Sequence, residues 1–216
     1  MKLKTLLLLT VIHSMTAKII IERIPARYLT NKHFGADINW TEINSKLPTG
    51  KDDGSKGRRK KMFRDFDPNG NGVLSLAEVD KGIRDVLKID QIFDAKSAIM
   101  RAFQIAKNSQ KSKRGQVGDD YIELREFKFF LLSLRQYFEY WEAFRRADEN
   151  FDKRISLNEF VSQKDTIEKW VGPINAEEEF KKIDTNNGGF VLFDEFCKWA
   201  ITKNLDLEDD DDDIAQ

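Results

Sequence analysis

Side-chain oxygens recur at alternate positions between residues 67 and 78, where the sequence DPNGNGVLSLAE matches the pattern D-x-[DN]-x-[DN]-G-x5-E. Calcium prefers about six to eight hard oxygen ligands, and a coiled loop of this length turns alternate residues towards one point. Gly72 at the sixth position permits the positive φ of the turn. A polar loop between two helices is the alternative. The predicted ligands are Asp67, Asn69, Asn71, the Val73 carbonyl, Ser75 through a bridging water, and a bidentate Glu78.

A second copy of the pattern occupies residues 148–159 as DENFDKRISLNE. Its sixth residue is Lys153 where glycine is expected, so a left-handed conformation costs about 1–2 kcal/mol there. The lysine also places a cation beside the ion. We therefore expect calcium binding that is weakened relative to the first loop. The predicted ligands are Asp148, Asn150, Asp152, the Arg154 carbonyl, Ser156 and Glu159.

A third copy occupies residues 184–195 as DTNNGGFVLFDE. Gly189 provides the turn, but Gly188 and Leu192 carry no side-chain oxygen at the fifth and ninth positions. Water must complete the shell at these two places. The three loops together predict two or three Ca²⁺ sites. The predicted ligands of the third loop are Asp184, Asn186, the Phe190 carbonyl and Glu195.

The twelve-residue pattern is that of the EF-hand, a calcium loop between two helices. EF-hands occur in pairs, so a fourth hand is expected between the first two copies. Taking Glu126 as the last loop residue places Gly115 at the first position and Val117 at the third. Asp120 then stands at the sixth position, where glycine is needed. Because three requirements fail together, this hand is predicted to be structural and not to bind calcium.

The loops require a helix on each side, and apolar residues at helical spacing flank the first loop, with Phe63 and Phe66 before it and Val79 and Ile83 after it. The eighth loop position is aliphatic in all four hands, which indicates a short antiparallel bridge between paired loops. These bridge residues are Leu74, Ile122, Ile155 and Val191. The predicted fold class is all-α, with two lobes of paired EF-hands and short β bridges between paired loops.

The repeats divide the chain into segments. Residues 36–132 are predicted to form an N-terminal lobe with one good and one degenerate hand, and residues 137–204 a C-terminal lobe. Residues 131–137 are predicted to form a helical or short connection. The apolar residues expected in the N-terminal core are Phe127, Phe129, Phe130, Leu131 and Leu132. Residues 205–216 are predicted to be a disordered acidic tail.

Residues 1–35 form an N-terminal extension with two alternative interpretations. Lys2 and Lys4 precede the apolar run Leu6–Ile12, and Ala17 suits a cleavage site, as in a secretory signal peptide covering residues 1–17. The run is too short to span a membrane. An ordinary extension, or an incorrectly chosen start codon, is the alternative.

The composition and the absence of other motifs exclude several kinds of function. The single Cys197 excludes an intramolecular disulfide and is expected to be a small buried side chain, and two histidines cannot assemble a Cys/His zinc site. No Ser/His/Asp set, phosphate loop or catalytic carboxylate pair is recognisable, so no enzyme is predicted. Residues 51–64 carry seven Lys/Arg, suiting an anionic lipid surface or a solvated helix. No nucleic acid is expected, because no groove-reading element accompanies them.

Several short motifs are spread between about Trp40 and Asp206: Trp40, Leu47-Pro48, Arg58-Arg59, residues 62–67, 86–90 and 123–127, Asp194-Glu195-Phe196 and Trp199-Ala200. In these motifs the chain resembles the calflagins, the flagellar calcium-binding proteins of protists. The resemblance implies four EF-hands with divergent N-terminal hands, a calcium sensor, and attachment to the flagellar membrane through N-terminal acylation and basic residues. It supports 148–159 and 184–195 as the C-terminal pair. The start Met1-Lys2-Leu3 lacks the Met-Gly acylation pattern, and the first loop is better formed than the family implies.

We therefore expect a calcium sensor that exposes a binding surface to a protein target or an anionic membrane surface. The alternatives are a calcium buffer, a luminal calcium-binding protein and a calcium-independent regulatory scaffold. The expected location is cytoplasmic, in a cilium or flagellum or associated with a membrane. A functional signal peptide would instead place the protein in the secretory pathway.

Overall fold

The computed structural model describes residues 38–107, 109, 120–205 and 207. The predicted extension, with its signal-peptide alternative, and the tail beyond residue 207 lie outside these residues. The helices are α1 (Trp40–Lys46), α2 (Asp53–Phe66), α3 (Leu76–Gly82), α4 (Asp90–Asp94), α5 (Lys96–Lys107), α6 (Leu124–Ala147), α7 (Leu157–Ser162), α8 (Lys164–Val171), α9 (Ala176–Ile183) and α10 (Phe193–Lys203), with a π-helical segment (Ile83–Leu87) after α3. The strands are β1 (Val73–Leu74), β2 (Ile122–Glu123), β3 (Arg154–Ser156) and β4 (Phe190–Leu192).

The ends of the first two predicted calcium loops also start the helices that follow them. Ser75 caps α3 by accepting the backbone N–H of Glu78, and the Glu78 side chain accepts the N–H of Ser75 in return. Ser156 and Glu159 form the same capping box at the start of α7. The S-x-x-E spacing therefore fixes the closing glutamate relative to the loop as well as starting the helix.

The paired loops join through two short antiparallel ladders. In one ladder Leu74 faces Ile122, and in the other Ile155 faces Val191. All four side chains are fully buried. The bridge predicted from the aliphatic eighth position is therefore confirmed in both pairs.

Helix α6 is shared by the two pairs of hands. It is 24 residues long and is both the exit helix of the degenerate hand and the helix that leads into loop 148–159. It runs without a break through the predicted connection 131–137. The all-α EF-hand fold class is confirmed, while the division into two lobes stays a prediction. Among the residues that the structure describes, no helix combines the length and apolar character needed to cross a bilayer.

The hydrophobic core corrects one expectation. Phe127, Phe130 and Leu131 are fully buried, but Phe129 and Leu132 are 42% and 45% exposed, so the run 127–132 is not all core. The cause is helical geometry, since α6 turns only part of its surface inwards. Cys197 is buried as expected, and this burial raises the pKa of its thiol.

Both ends of the described region pack on α6. The Trp40 ring meets the Phe138 ring edge-on, with the centroids 5.8 Å apart. Leu205 and Leu207 were assigned to the acidic tail from the sequence, yet both are buried. The backbone N–H of Leu207 donates to a carboxylate oxygen of the buried Glu139 at 2.6 Å. Ordered structure therefore continues beyond the predicted end of the C-terminal lobe.

Candidate calcium sites

The first loop is folded around its leading aspartate. One carboxylate oxygen of Asp67 accepts the N–H of Asn71 at 3.2 Å, and the other accepts the N–H of Gly72 at 2.9 Å. Asn69 Oδ1 also accepts the N–H of Asn71, and Asn71 Oδ1 accepts the N–H of Val73. These bonds coil the loop, so that the side chains of its first, third and fifth residues lie along its inner side.

Glu78 closes this loop from the far end. Its Oε2 accepts both the N–H and the hydroxyl of Ser75, at 2.9 and 2.7 Å. Its Oε1 accepts the side-chain amide of Asn69 at 2.5 Å. The third and twelfth residues therefore meet, as a shell of oxygen ligands around one cation requires.

The second loop repeats this arrangement. Asp148 accepts the N–H groups of Asp152 and Lys153 at 3.2 and 2.9 Å. Asn150 Oδ1 accepts the N–H of Asp152, and Asp152 Oδ1 accepts the N–H of Arg154. The sequence-predicted side chains at the start of this loop are thus brought together as in the first loop.

Glu159 closes the second loop in the same way. Its Oε2 accepts the N–H and the hydroxyl of Ser156, at 2.8 and 2.7 Å. Its Oε1 accepts the backbone N–H of Asn150 at 3.3 Å. The third and twelfth residues are again adjacent, here through the backbone of the third.

Backbone strain distinguishes the second loop. Lys153 has φ of 66°, so the expected left-handed conformation is present, and Phe151 at the fourth position has φ of 59°. The first loop places Gly70 and Gly72 at these two positions, with φ of 68° and 80°. The conformation is thus a property of the loop, and only the second loop adopts it with two non-glycine residues that have a bulky or charged side chain.

Buried negative charge gathers at the second loop. Asp148 and Glu159 are 4% and 8% exposed. Burial, followed by the charges of Asp152 and Glu159, raises the pKa of Asp148 to about 6, although backbone N–H groups partly oppose the shift. The side chain of Arg154 donates to Asp152 at 3.1 Å and lies 4.6 Å from the Phe190 ring centroid in the neighbouring loop. A bound cation would offset the mutual repulsion of these carboxylates.

The third loop adds a contact that sequence reasoning missed. Asp184 accepts the N–H groups of Gly188 and Gly189, each at 2.9 Å. Glu195 Oε1 accepts the Thr185 N–H at 3.1 Å, the Thr185 hydroxyl at 3.0 Å and the Asn186 side-chain amide at 2.9 Å. Thr185 is the second residue of its loop, a position that is not part of the ligand pattern. Its contact with Glu195 could therefore be found only from the folded structure.

The two oxygen-poor positions of the third loop have structural explanations. A Cβ atom added to Gly188 would lie 2.5 Å from Asn186 Oδ1, so the Asn186 side chain occupies the space of a fifth-position side chain. Leu192 is 42% exposed and turns to the surface. Its backbone N–H donates to Glu195 Oε2 at 3.1 Å. Solvent therefore has access to the ninth position, where a water ligand is expected.

The degenerate loop lies largely outside the described residues, including Gly115 and Val117. Asp120 is described and forms an ion pair with Lys107 at 2.9 Å. Glu126 accepts the N–H of Glu123 at 2.9 Å, and burial raises the pKa of its carboxyl. The expectation that this hand does not bind calcium stays a prediction.

The donors are mixed rather than purely acidic. Within the described ranges, no three His, Cys, Asp or Glu side chains form a group that could hold a metal. This result accords with the composition of the loops, because amide, hydroxyl and carbonyl oxygens provide much of each predicted shell. The oxygen donors present therefore suit a hard cation better than a thiophilic metal.

Comparison with known proteins identifies the family. Residues 43–134 match the family model of the FCaBP EF-hand domain. The flagellar calcium-binding proteins TB-17 and TB-1.7G of Trypanosoma brucei brucei are each 35% identical over 82% of this chain, covering 76% and 78% of those proteins. The flagellar calcium-binding protein of Trypanosoma cruzi is 29% identical, over 82% of this chain and 85% of that protein. The chain belongs to the flagellar calcium-binding protein (calflagin) family of EF-hand proteins that bind calcium.

Proposed function

We propose that the loops 67–78, 148–159 and 184–195 each bind one Ca²⁺ through their predicted ligands. One observation carries this assignment: each leading aspartate accepts the N–H groups of the fifth and sixth loop residues. In each loop the closing glutamate also reaches back to the third residue. Bound calcium would supply the positive charge that draws the side-chain oxygens of both loop ends together.

The protein acts as a calcium sensor in this proposal. Aromatic side chains join entering and exit helices across each pair, as in Phe66 with Phe127, with ring centroids 5.4 Å apart, and Phe160 with Phe180 at 5.9 Å. A calcium-driven change in helix angles would expose these rings to a target. A buffer would keep them buried, and this difference separates the two functions.

The site of action is inferred from the relatives and from surface charge. Relatives named as flagellar proteins support a location on the cytoplasmic side of a flagellum. The Arg59 side chain of α2 stabilises the preceding segment, because it donates to the carbonyls of Pro48 and Gly50. Arg58 and Lys60 are exposed and support a contact with an anionic membrane or an acidic protein target.

Calcium titration by calorimetry in millimolar magnesium tests the assignment, using the full chain and the single variants Glu78→Gln, Glu159→Gln and Glu195→Gln. We expect two or three sites with dissociation constants of about 10⁻⁷ to 10⁻⁵ M, and the loss of one site in each variant whose loop binds. Binding only at about 10⁻³ M would favour a luminal protein. An unchanged site number in all three variants would refute the ligand assignment.

Fluorescence of a dye that binds apolar surface separates a sensor from a buffer. Calcium should increase the dye signal of the wild-type chain and leave the triple glutamine variant unchanged. A chain that binds calcium without this increase is a buffer. A triple variant that binds its target as the wild type does would instead indicate a calcium-independent scaffold.

A further inference from the structure

An ion pair connects the degenerate hand to the helix that follows loop 184–195. Arg101 lies on α5, the entering helix of the degenerate second hand, and Asp194 lies in the first turn of α10. Nε and Nη2 of Arg101 contact Oδ1 and Oδ2 of Asp194 respectively, across a sequence separation of 93 residues. This two-pronged geometry fixes the carboxylate in direction as well as in position.

Asp194 directly precedes Glu195, the residue that closes the third loop. Both occupy the first turn of α10, where Phe193 is buried and packs against Trp141 and Phe144, with ring centroids 5.3 and 5.6 Å away. Rotation of this turn would move the Glu195 carboxylate as well as Asp194. Arg101 therefore holds the helix end from which the closing ligand projects.

The ion pair and the inward position of Glu195 occur together. In the same structure Glu195 is already turned into its loop and accepts hydrogen bonds from Thr185 and Asn186. We propose that Arg101 is a positioning residue of the third calcium site, acting through Asp194 to hold Glu195 towards the ion. This inference rests on the proposed function of the loop 184–195.

Electrostatics alone gives the opposite prediction. A guanidinium near a calcium site repels the ion, so its removal would tighten binding if charge were its only effect. If Arg101 acts by positioning, its removal weakens binding. The Arg101 and Asp194 side chains are 32% and 57% exposed, so solvent screening limits the expected change to about two- to fivefold.

The test uses the full chain carrying Glu78→Gln and Glu159→Gln, which leaves the third loop as the remaining predicted site. Adding Arg101→Gln should raise the calcium dissociation constant about two- to fivefold. Arg101→Lys keeps the positive charge but loses the two-pronged contact, so it should give an intermediate dissociation constant. Arg84→Gln is the matched control, because Arg84 makes a similar two-pronged contact with its neighbour Asp85 far from this loop in sequence.

The single variant Asp194→Asn and the double variant with Arg101→Gln complete a double-mutant cycle. Positioning predicts that the double variant loses less affinity than the sum of the two single losses. Unchanged or tighter binding after Arg101→Gln would overturn the positioning role alone. Absence of binding before Arg101 is changed would overturn the proposed site and this inference together.

Calcium release from the otherwise wild-type chain is the second measurement, independent of whether the double-glutamine chain folds. Mixing the loaded protein with a chelator should show one faster release phase in Arg101→Gln and no change in Arg84→Gln. Equal release from wild type and Arg101→Gln would contradict the inference.

Discussion

The first and third predicted calcium loops differ in opposite senses in sequence match and in burial. Loop 67–78 matches the sequence pattern completely, but Asp67 and Glu78 are only half-buried. Loop 184–195 lacks two side-chain donors, yet Asp184 and Glu195 are 7% and 6% exposed. The pattern records which donors a loop offers, whereas burial depends on how the flanking helices pack. A sequence match therefore does not by itself rank the sites.

The second loop adds a third combination. It has a full set of side-chain donors and buried carboxylates, but Phe151 and Lys153 hold left-handed conformations that the first loop assigns to glycine. Donor identity, burial and backbone strain thus vary separately among three loops whose leading aspartates accept the same two backbone N–H groups. Substitutions that change one property at a time show which of the three sets the calcium affinity of each loop.

Replacing the closing glutamates should give the largest effects. Glu195→Gln and Glu78→Gln each remove a bidentate ligand, so calcium affinity at the affected loop should fall more than about tenfold, the lower limit for losing an outer-shell partner. Without calcium, Glu195→Gln should also destabilise the fold by about 1.5–3 kcal/mol, because its charged carboxylate organises Thr185 and Asn186. Glu78→Gln should cost less, since its loop is more exposed. Thermal unfolding in chelator measures the difference, and equal losses would contradict the importance of burial.

The sequence predicts local features better than distant contacts. The EF-hand fold and both β bridges follow from residue spacing, because each hand is a local unit whose eighth residue must face its pair. The loop geometry brings the predicted donors together for the same reason. Phe129 and Leu132 were misplaced in the core because an apolar run does not reveal which face of a helix is covered.

The missed contacts depend on packing between separate elements. Arg101 and Asp194 lie 93 residues apart and Leu207 and Glu139 lie 68 apart, so each contact forms only when the fold brings two separate parts of the chain together. No spacing rule relates such residues. The contact of Thr185 with Glu195 lies within one loop. It could still not be predicted, because the second residue of the loop has no fixed role in the ligand pattern.

Thr185→Val tests whether the second position organises the third loop. The variant keeps the shape of the side chain and loses the hydroxyl that donates to Glu195 Oε1 at 3.0 Å. We expect a loss of about 1 kcal/mol, or roughly fivefold, in calcium affinity at this loop. Calorimetry on the chain with the other two closing glutamates replaced measures it. Thr202→Val is the control, as it removes a hydroxyl bonded to the Trp199 carbonyl on α10; an equal effect there would argue against a specific role.

Lys153→Gly tests the contribution of strain. Relief of the left-handed conformation gives about 1–2 kcal/mol, and the extra freedom of glycine in the unfolded chain removes about 0.4–1 kcal/mol of this gain. The net stabilisation should be about 0.5–1 kcal/mol by chemical denaturation in chelator. Lys153→Ala removes the charge but keeps the Cβ atom, so a gain equal to that of glycine would show that charge, not strain, limits the second loop.

Arg154→Gln should give the smallest effect and distinguishes two roles of the arginine. Its guanidinium donates to Asp152, a predicted calcium ligand, and it also lies over Phe190 of the paired loop. Because the side chain is 48% exposed, the ion pair is worth little. If competition dominates, affinity at loop 148–159 should rise about twofold in a chain carrying Glu78→Gln and Glu195→Gln.

The sign of the Arg154→Gln effect carries the argument, with Arg154→Lys as the variant that keeps the charge and loses the planar stacking. Tighter binding in Gln but not in Lys would mean that Arg154 acts within its own loop. Weaker binding in both would mean that stacking across the β3–β4 ladder holds the two loops in their binding geometry. In that case the affinities of the two loops are shared properties of the pair, and the comparison of single loops would have to be replaced by one between the two pairs of hands.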